Sequence, residues 1–256
     1  MRGLAWTNLG GSHAGPRKLT GLTAHAEGDL QVVVTDAWRA TFPEARVGLL
    51  LLDNVVNGPP PLALQTEMHR IEAELRQRFG RADRATLAAL PTIQPYQRHY
   101  RAFGQNYHVL RQVESVAIRD QALVSSSALV LAMFAAELHS QLLTAGHDAD
   151  ALKPPLTLDV SRADERFVGL GGREHVLRAG DMLMRDGLGI ISAVIYGPDE
   201  RTRLVDHTRR AIFSTYAPAG ISADQVLAHL EELAGLVGLF APEAQVRLWL
   251  LDPAGD

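Results

Sequence analysis

The chain has 256 residues, 46% hydrophobic and 21% charged, with a net charge of −4: a globular composition, long enough to bury a core. The acidic balance argues against a nonspecific polyanion binder, so any contact with nucleic acid must come from a local basic patch. Cysteine is absent, which removes disulfides, thiolate metal sites and cysteine nucleophiles together and fits a cytoplasmic setting, and no run of about 18 apolar residues offers a membrane span.

Residues 1–28 carry Gly, Thr, His and Arg without a continuous apolar stretch, so they read as an N-terminal extension of unassigned order and not as a secretory signal. Residues 29–35 (D-L-Q-V-V-V-T) and 46–53 (R-V-G-L-L-L-L-D) read as strands. The second is expected to be buried on both faces, because its apolar run is unbroken. Between them, D-A-W-R-A-T-F-P is expected to turn, with Phe42 tucked into the core. N-G-P-P-P (57–61) then breaks the chain. Leu64, Met68, Ile71, Leu75 and Phe79 recur at helical spacing and predict one buried stripe of a helix that Gly80 ends. Residues 90–103 suggest a second helix started near Pro91, and 106–118 have no clear type. Ser127 is a suitable cap for a helix over 128–145, apolar on nearly all faces and therefore central, with Gly146 as its terminating residue.

After Pro154-Pro155 the period becomes strand-like. L-T-L-D-V, E-R-F-V-G-L, D-M-L-M-R and G-I-I-S-A-V-I-Y predict four strands, with Asp186-Gly187 as a hairpin turn between the last two. A further strand is expected at 211–216. Ser222 and Gln225 predict a capping box for a helix burying Val226, Leu230, Leu233 and Val237, and 246–251 read as a last strand. The simplest account is one mixed α+β domain with a central sheet flanked by helices, formed by 29–220, with 221–256 a helix-strand addition packed on it.

The polar constellations are few. His147, Asp148 and Asp150 in G-H-D-A-D suit a metal or acid-base chemistry, and equally suit the satisfaction of free carbonyls and turn amides. No H-E-x-x-H or paired-histidine spacing supplies further ligands, so no metal is expected. G-L-G-G (169–172) lies between strands and does not open a helix, which argues for a tight turn or a backbone facing a substrate, and not for a dinucleotide site. The loop Y-G-P-D-E-R-T-R-L-V-D-H-T-R-R (196–210) is richest in polar groups. It reads either as a solvated hairpin or as a recognition loop in which Asp199 and Glu200 meet a hydroxyl or ammonium group and Arg201, Arg203, Arg209 and Arg210 meet phosphates. Ser125 to Ser127 lack a nucleophile-elbow context. A second basic stretch, 98–111, interleaves Arg98, Arg101 and Arg111 with Tyr100, Phe103 and Tyr107, as base stacking or ordinary helix packing would require.

Taken in order, several segments resemble the editing (B3/B4) domain of the phenylalanyl-tRNA synthetase beta subunit in a free-standing form. They are V-V-V-T-D-A-W-R-A-T-F-P-E-A-R-V-G-L-L, E-A-E-L-R, Y-R-A-F-G followed by V-E-S-V, G-H-D-A-D, V-G-L-G-G, A-G-D-M-L-M-R-D-G-L-G and E-R-T-R-L-V-D-H-T-R-R, spanning about 30–218. The resemblance implies a pocket between two halves of the fold that accepts the aminoacyl end of a tRNA and hydrolyses the ester of a mischarged aromatic amino acid. It implies Glu200 as the sensor of a side-chain hydroxyl, Thr208 beside it, and Gly171 and Gly172 as pocket backbone. His147 is then a candidate to position water, and Arg201 and Arg203 to contact phosphate. No cofactor is implied, and no triad is needed because the ester is already activated. Where the family has polar residues along its central helix, this chain has Ser127-Ala128, Leu131 and Phe134, a more apolar wall. A non-catalytic RNA- or amino-acid-binding module of the same fold is the alternative expectation.

Overall fold

The structure is a computed structural model that describes residues 30–252; the reading of 1–28 as an extension lies outside the described residues. The element order is β1 (Val32–Val34), α1 (Asp36–Thr41), β2 (Arg46–Asp53), α2 (Leu62–Phe79), α3 (Arg84–Ala88), α4 (Ile93–Ala102), α5 (His108–Ala117) and α6 (Ala128–Ser140). Then follow β3 (Leu143–Asp148), β4 (Leu156–Val160), β5 (Arg166–Gly169), β6 (Arg173–Val176), β7 (Met182–Asp186), β8 (Gly189–Ala193), β9 (Gly197–Pro198), β10 (Ala211–Ala217), α7 (Ala223–Gly238) and β11 (Gln245–Leu251). The chain is mixed α+β, as its alternating periods predict. Among the described residues no helix is long and apolar enough to cross a membrane.

Two sheets carry the fold. One is antiparallel throughout, in the order β11-β2-β10-β3; the other runs β1-β4-β7-β8-β9, with only β1 and β4 parallel. The unbroken leucine run Leu49 to Leu52 is buried on both faces. On one face of the first sheet α7 comes so close that a Cβ on Gly48 would lie 2.5 Å from Val226 Cγ1 and 2.8 Å from Leu230 Cδ1, so any larger residue there would push those two side chains aside. The opposite face meets the second sheet, where Tyr216 Oη of β10 lies 2.6 Å from Ser192 Oγ of β8. The α2 stripe Leu64, Met68, Ile71, Leu75 and Phe79 is buried as its spacing requires, and the Ser222–Gln225 capping box starts α7.

Four local expectations are corrected. D-A-W-R-A-T folds as α1 because Thr35 Oγ1 accepts the Trp38 amide hydrogen at 3.1 Å. Trp38 is the fully buried side chain, and Phe42 only packs partly against the core. The helix expected to reach residue 145 stops at Ser140. Gln141 takes a left-handed conformation (φ 60°), Ser140 Oγ accepts the Leu142 amide hydrogen at 3.1 Å, and the chain re-enters the sheet as β3. An apolar run such as Leu142 to Ala145 satisfies either period, so periodicity could not decide it. Gly146 is therefore mid-strand, where a Cβ would sit 2.8 Å from the Phe213 ring and 2.9 Å from Leu204 Cδ1. In the β7–β8 hairpin Asp186 pairs with Gly189, which makes Gly187-Leu188 the loop and leaves the positive φ (141°) to Gly189. Finally, the run expected as a strand through Tyr196 leaves the sheet after Ala193.

Candidate functional site

The loop between β9 and β10 (199–210) is anchored on the end of β3, a buried strand. Asp148 N–H donates to Thr202 O at 2.7 Å and Ala149 N–H to Arg210 O at 2.9 Å. G-H-D-A-D is thus not a solvated loop after a helix but the end of a buried strand: Thr202 takes the Asp148 amide on the side away from β10, and the Ala149–Arg210 bond extends the β3–β10 ladder. Asp148 accepts the Thr208 hydroxyl at 2.7 Å and the Asp150 amide at 3.0 Å, and Thr208 itself is buried and accepts the Val205 amide hydrogen at 3.0 Å.

His147 is wholly buried. Its Nδ1 lies 2.7 Å from Thr202 Oγ1, and the Thr202 hydroxyl is directed to Asp199 Oδ1. Because that hydroxyl has one proton, it accepts from His147, which fixes the Nδ1–H tautomer and leaves Nε2 as a bare acceptor. Burial, with the nearby Arg201 charge adding to it, lowers the imidazole to about 4. Burial raises the Asp199 carboxyl, against the Thr202 hydrogen bonds and Arg201, which pull it down.

Arg201 ties three segments together. Its guanidinium donates to Ala151 O at 2.8 Å and to Asp186 Oδ2 at 2.8 Å, and lies 3.7 Å from Asp199 Oδ2. Asp186 also accepts the Lys153 and Leu188 amides, each at 2.9 Å. Glu200 sits on the next turn outward. Its Oε2 accepts the Gly171 amide hydrogen at 2.8 Å and its Oε1 meets Arg203 at 2.7 Å, so the G-L-G-G turn and the E-R-T loop are one unit. Gly171 and Gly172 both hold φ of 78°, and the Gly172 amide is used on Gly169 O at 3.1 Å.

Beside this unit opens a cleft of about 410 Å³ between β5, the β7–β8 turn and the loop. Phe167, Val168, Leu188 and Ile190 form its apolar wall; Arg166, Asp199, Glu200 and Arg201 supply its charges. Glu200 and Arg201 thus line the cleft. Gly171, Gly172 and Arg203 adjoin it through Glu200, while His147 and Thr208 lie behind it in the interior. The D-E-R-T motif drew attention to the loop, but Thr202, Asp186 and Phe167 were not singled out. Thr202 was readable only as loop polarity, and the other two come close through the β5 and β7 pairings.

The other polar candidates serve structure. Ser127 Oγ accepts the Val130 amide hydrogen at 3.4 Å and donates to Asn57 at 3.1 Å. In the basic stretch Tyr100 and Tyr107 are buried and donate to Val194 O and Gln141 O, so these two rings pack the core and are closed to base stacking.

No family model matches the sequence, and no curated protein matches it. Among solved structures the chain is similar to an N-terminal fragment of the phenylalanyl-tRNA synthetase beta subunit from Pyrococcus horikoshii, with 13% identity and a TM-score of 0.46. The match covers 89% of this chain and 53% of that one, so the chain spans about half the length of that fragment.

Proposed function

We propose that the cleft beside Glu200 receives the aminoacyl end of a charged tRNA and that the chain acts in trans on its ester, as an editing-like hydrolase. The ordered motifs over 30–218 support this reading, with 29–220 as the unit that carries the site and 221–256 as an addition to it. The observation that carries it is the cleft's chemistry: an apolar wall of Phe167, Val168 and Ile190 beside charges of both signs from Arg166, Arg201 and Glu200. That set suits an amino-acid unit with an apolar or aromatic side chain, an ammonium group and an adjoining phosphate. In this reading Glu200 senses the side-chain hydroxyl and Thr208 holds the loop that presents it. Arg201 and Arg203 face the phosphates, Gly171 and Gly172 supply backbone contacts, and His147 positions water. An aminoacyl ester needs little more than orientation and oxyanion stabilisation. No cofactor enters, and the setting is cytoplasmic.

Binding without cleavage is favoured by one specific arrangement. The Gly171 and Gly172 amides are already used, on Glu200 and on Gly169 O, and His147 is sealed from the cleft. Deacylation of tyrosyl-tRNA(Phe) beside phenylalanyl-tRNA(Phe), with wild type and Glu200→Ala, separates the two. Selective loss of the tyrosyl ester with wild type alone is expected for editing. A shift of charged tRNA in a gel with the ester intact means a binding module, and neither result removes tRNA from the reading.

A further inference from the structure

Among the buried side-chain atoms of the described residues that have no hydrogen-bond partner are His147 Nε2 and Ser214 Oγ. They are neighbours. In the β3–β10 ladder Ala145 faces Ser214 and His147 faces Ile212, so His147 and Ser214 stand diagonally on one face of the sheet, about 7–8 Å apart at Cα, within reach of long side chains. This is the face turned to the second sheet, since Tyr216, two residues from Ser214, meets Ser192 there. Thr202 holds His147 from the outer edge of β3, and the two ring nitrogens point to opposite sides of the ring. The Nε2 lone pair is therefore turned inward from that edge. Ser214 is 1% and His147 0% exposed, which closes both atoms to bulk water.

Left unpaired, each would lose the hydration it had in the unfolded chain without replacement. They are also complementary, an acceptor whose tautomer is fixed and a hydroxyl, which also stands beside the Tyr216 phenol, yet no direct bond joins them. Ala145, opposite Ser214, presents only a methyl group. We propose that one water molecule is bound between His147 Nε2 and Ser214 Oγ, donating to the imidazole and accepting from the serine. A buried water with at least two polar partners is an ordinary structural ligand. It completes a hydrogen-bonded chain from Asp199, at the cleft, through Thr202 and His147 to Ser214 between the sheets. The proposal does not rest on the reaction assigned to the cleft, and a His147 so engaged is not available to position water there.

A crystal structure of the full chain at a resolution that shows ordered solvent tests it, with Ser214→Ala and Ser214→Thr alongside. Expected is a density peak within hydrogen-bond distance of both atoms in wild type, retained with threonine and lost with alanine. In solution, a long-lived water contact to the His147 ring in the NMR spectrum, with Nδ1 protonated and Nε2 not, is expected and should vanish in Ser214→Ala. A direct Ser214–His147 bond, no density between the two atoms, or an Nε2–H tautomer overturns it. Should either variant fail to fold, the wild-type density and tautomer still decide.

Discussion

Glu200 Oε2 accepts the Gly171 amide hydrogen at 2.8 Å, so a carboxylate of the E-R-T loop closes the turn of the β5–β6 hairpin 29 residues earlier. The same group meets Arg203 and lines the cleft. Any ligand that engages Glu200 must compete with this bond, and whatever it displaces frees an amide at the cleft's lip. Glu200→Ala is therefore expected to speed hydrogen exchange of the Gly171 amide while moving global stability by no more than about 1 kcal/mol, since the pair is partly exposed. Glu200→Gln retains an acceptor and should leave exchange near wild type. Equal exchange in wild type and the alanine variant would show that the bond is not held in solution.

Arg201 is bound on three sides, and its role in holding the fold can be measured apart from any contact with phosphate. Arg201→Ala strips the counter-charge from Asp186, whose side chain is 0% exposed, and removes the tie to Ala151 O. Asp186 keeps two amide donors, and Arg201 is about a third exposed, so a loss of about 1–3 kcal/mol is expected in urea unfolding. Arg201→Lys should recover only part of it, because an ammonium cannot span a carboxylate and a carbonyl in the same geometry. A neutral effect for both variants would mean that the guanidinium is free for a ligand after all.

Patterns of period carried the sequence-based reading well where the two periods differ. The α2 stripe, the leucine run of β2 and the α7 capping box each have a local physical cause. The reading failed at Leu142 to Ala145, where an unbroken apolar run fits helix and strand alike. What ends α6 is a left-handed Gln141 and the edge of a sheet whose other strands lie far away in sequence. The strand formed there carries His147 into the core, whereas a longer helix would have left it in a loop. The polar loop 196–210 was recognisable from its residues, but its anchoring on β3 was not. The Thr202 hydroxyl and the Asp148 amide find their partners only across the tertiary fold. The short strand β6, R-E-H-V, was missed because an exposed hairpin has no buried face to impose alternation.

Two buried histidines and a third that is half-buried predict acid sensitivity. His108, His147 and His229 are each lowered from 6.5 to about 4, in every case mainly by burial. A depressed folded value means that the native chain binds fewer protons than the unfolded chain in this window. The stability they contribute is present above pH 6.5 and is lost as pH falls through about 4, by up to ~3 kcal/mol for each histidine. Urea melts between pH 7 and 4.5 should show stability falling with a slope that approaches two protons taken up on unfolding, three from the histidines less the one that Glu137 releases. NMR titration should find all three rings neutral at pH 5.5. A ring found protonated at pH 5.5 would contradict its lowered value.

Glu137 works in the opposite direction. It lies under the α6–β3 turn, where its Oε1 accepts the Thr144 amide hydrogen at 2.8 Å, and burial raises its carboxyl from 4.5 to about 8 against that hydrogen bond. The native chain then keeps a proton that the unfolded chain gives up between pH 4.5 and 8. Its contribution is full below pH 4.5 and is lost as pH rises through about 8, by an amount on the order of 5 kcal/mol at most. Glu137→Gln keeps an acceptor for Thr144 and cannot ionise. Against wild type it should therefore change little at pH 4.5 and gain stability steadily toward pH 8.5. The wild-type midpoint should fall over that range relative to the variant, after the histidine contribution common to both cancels. Thermal or urea melts of the pair at four pH values give the difference directly. Parallel curves would mean that Glu137 is ionised at neutral pH, with a partner other than Thr144 to hold its charge.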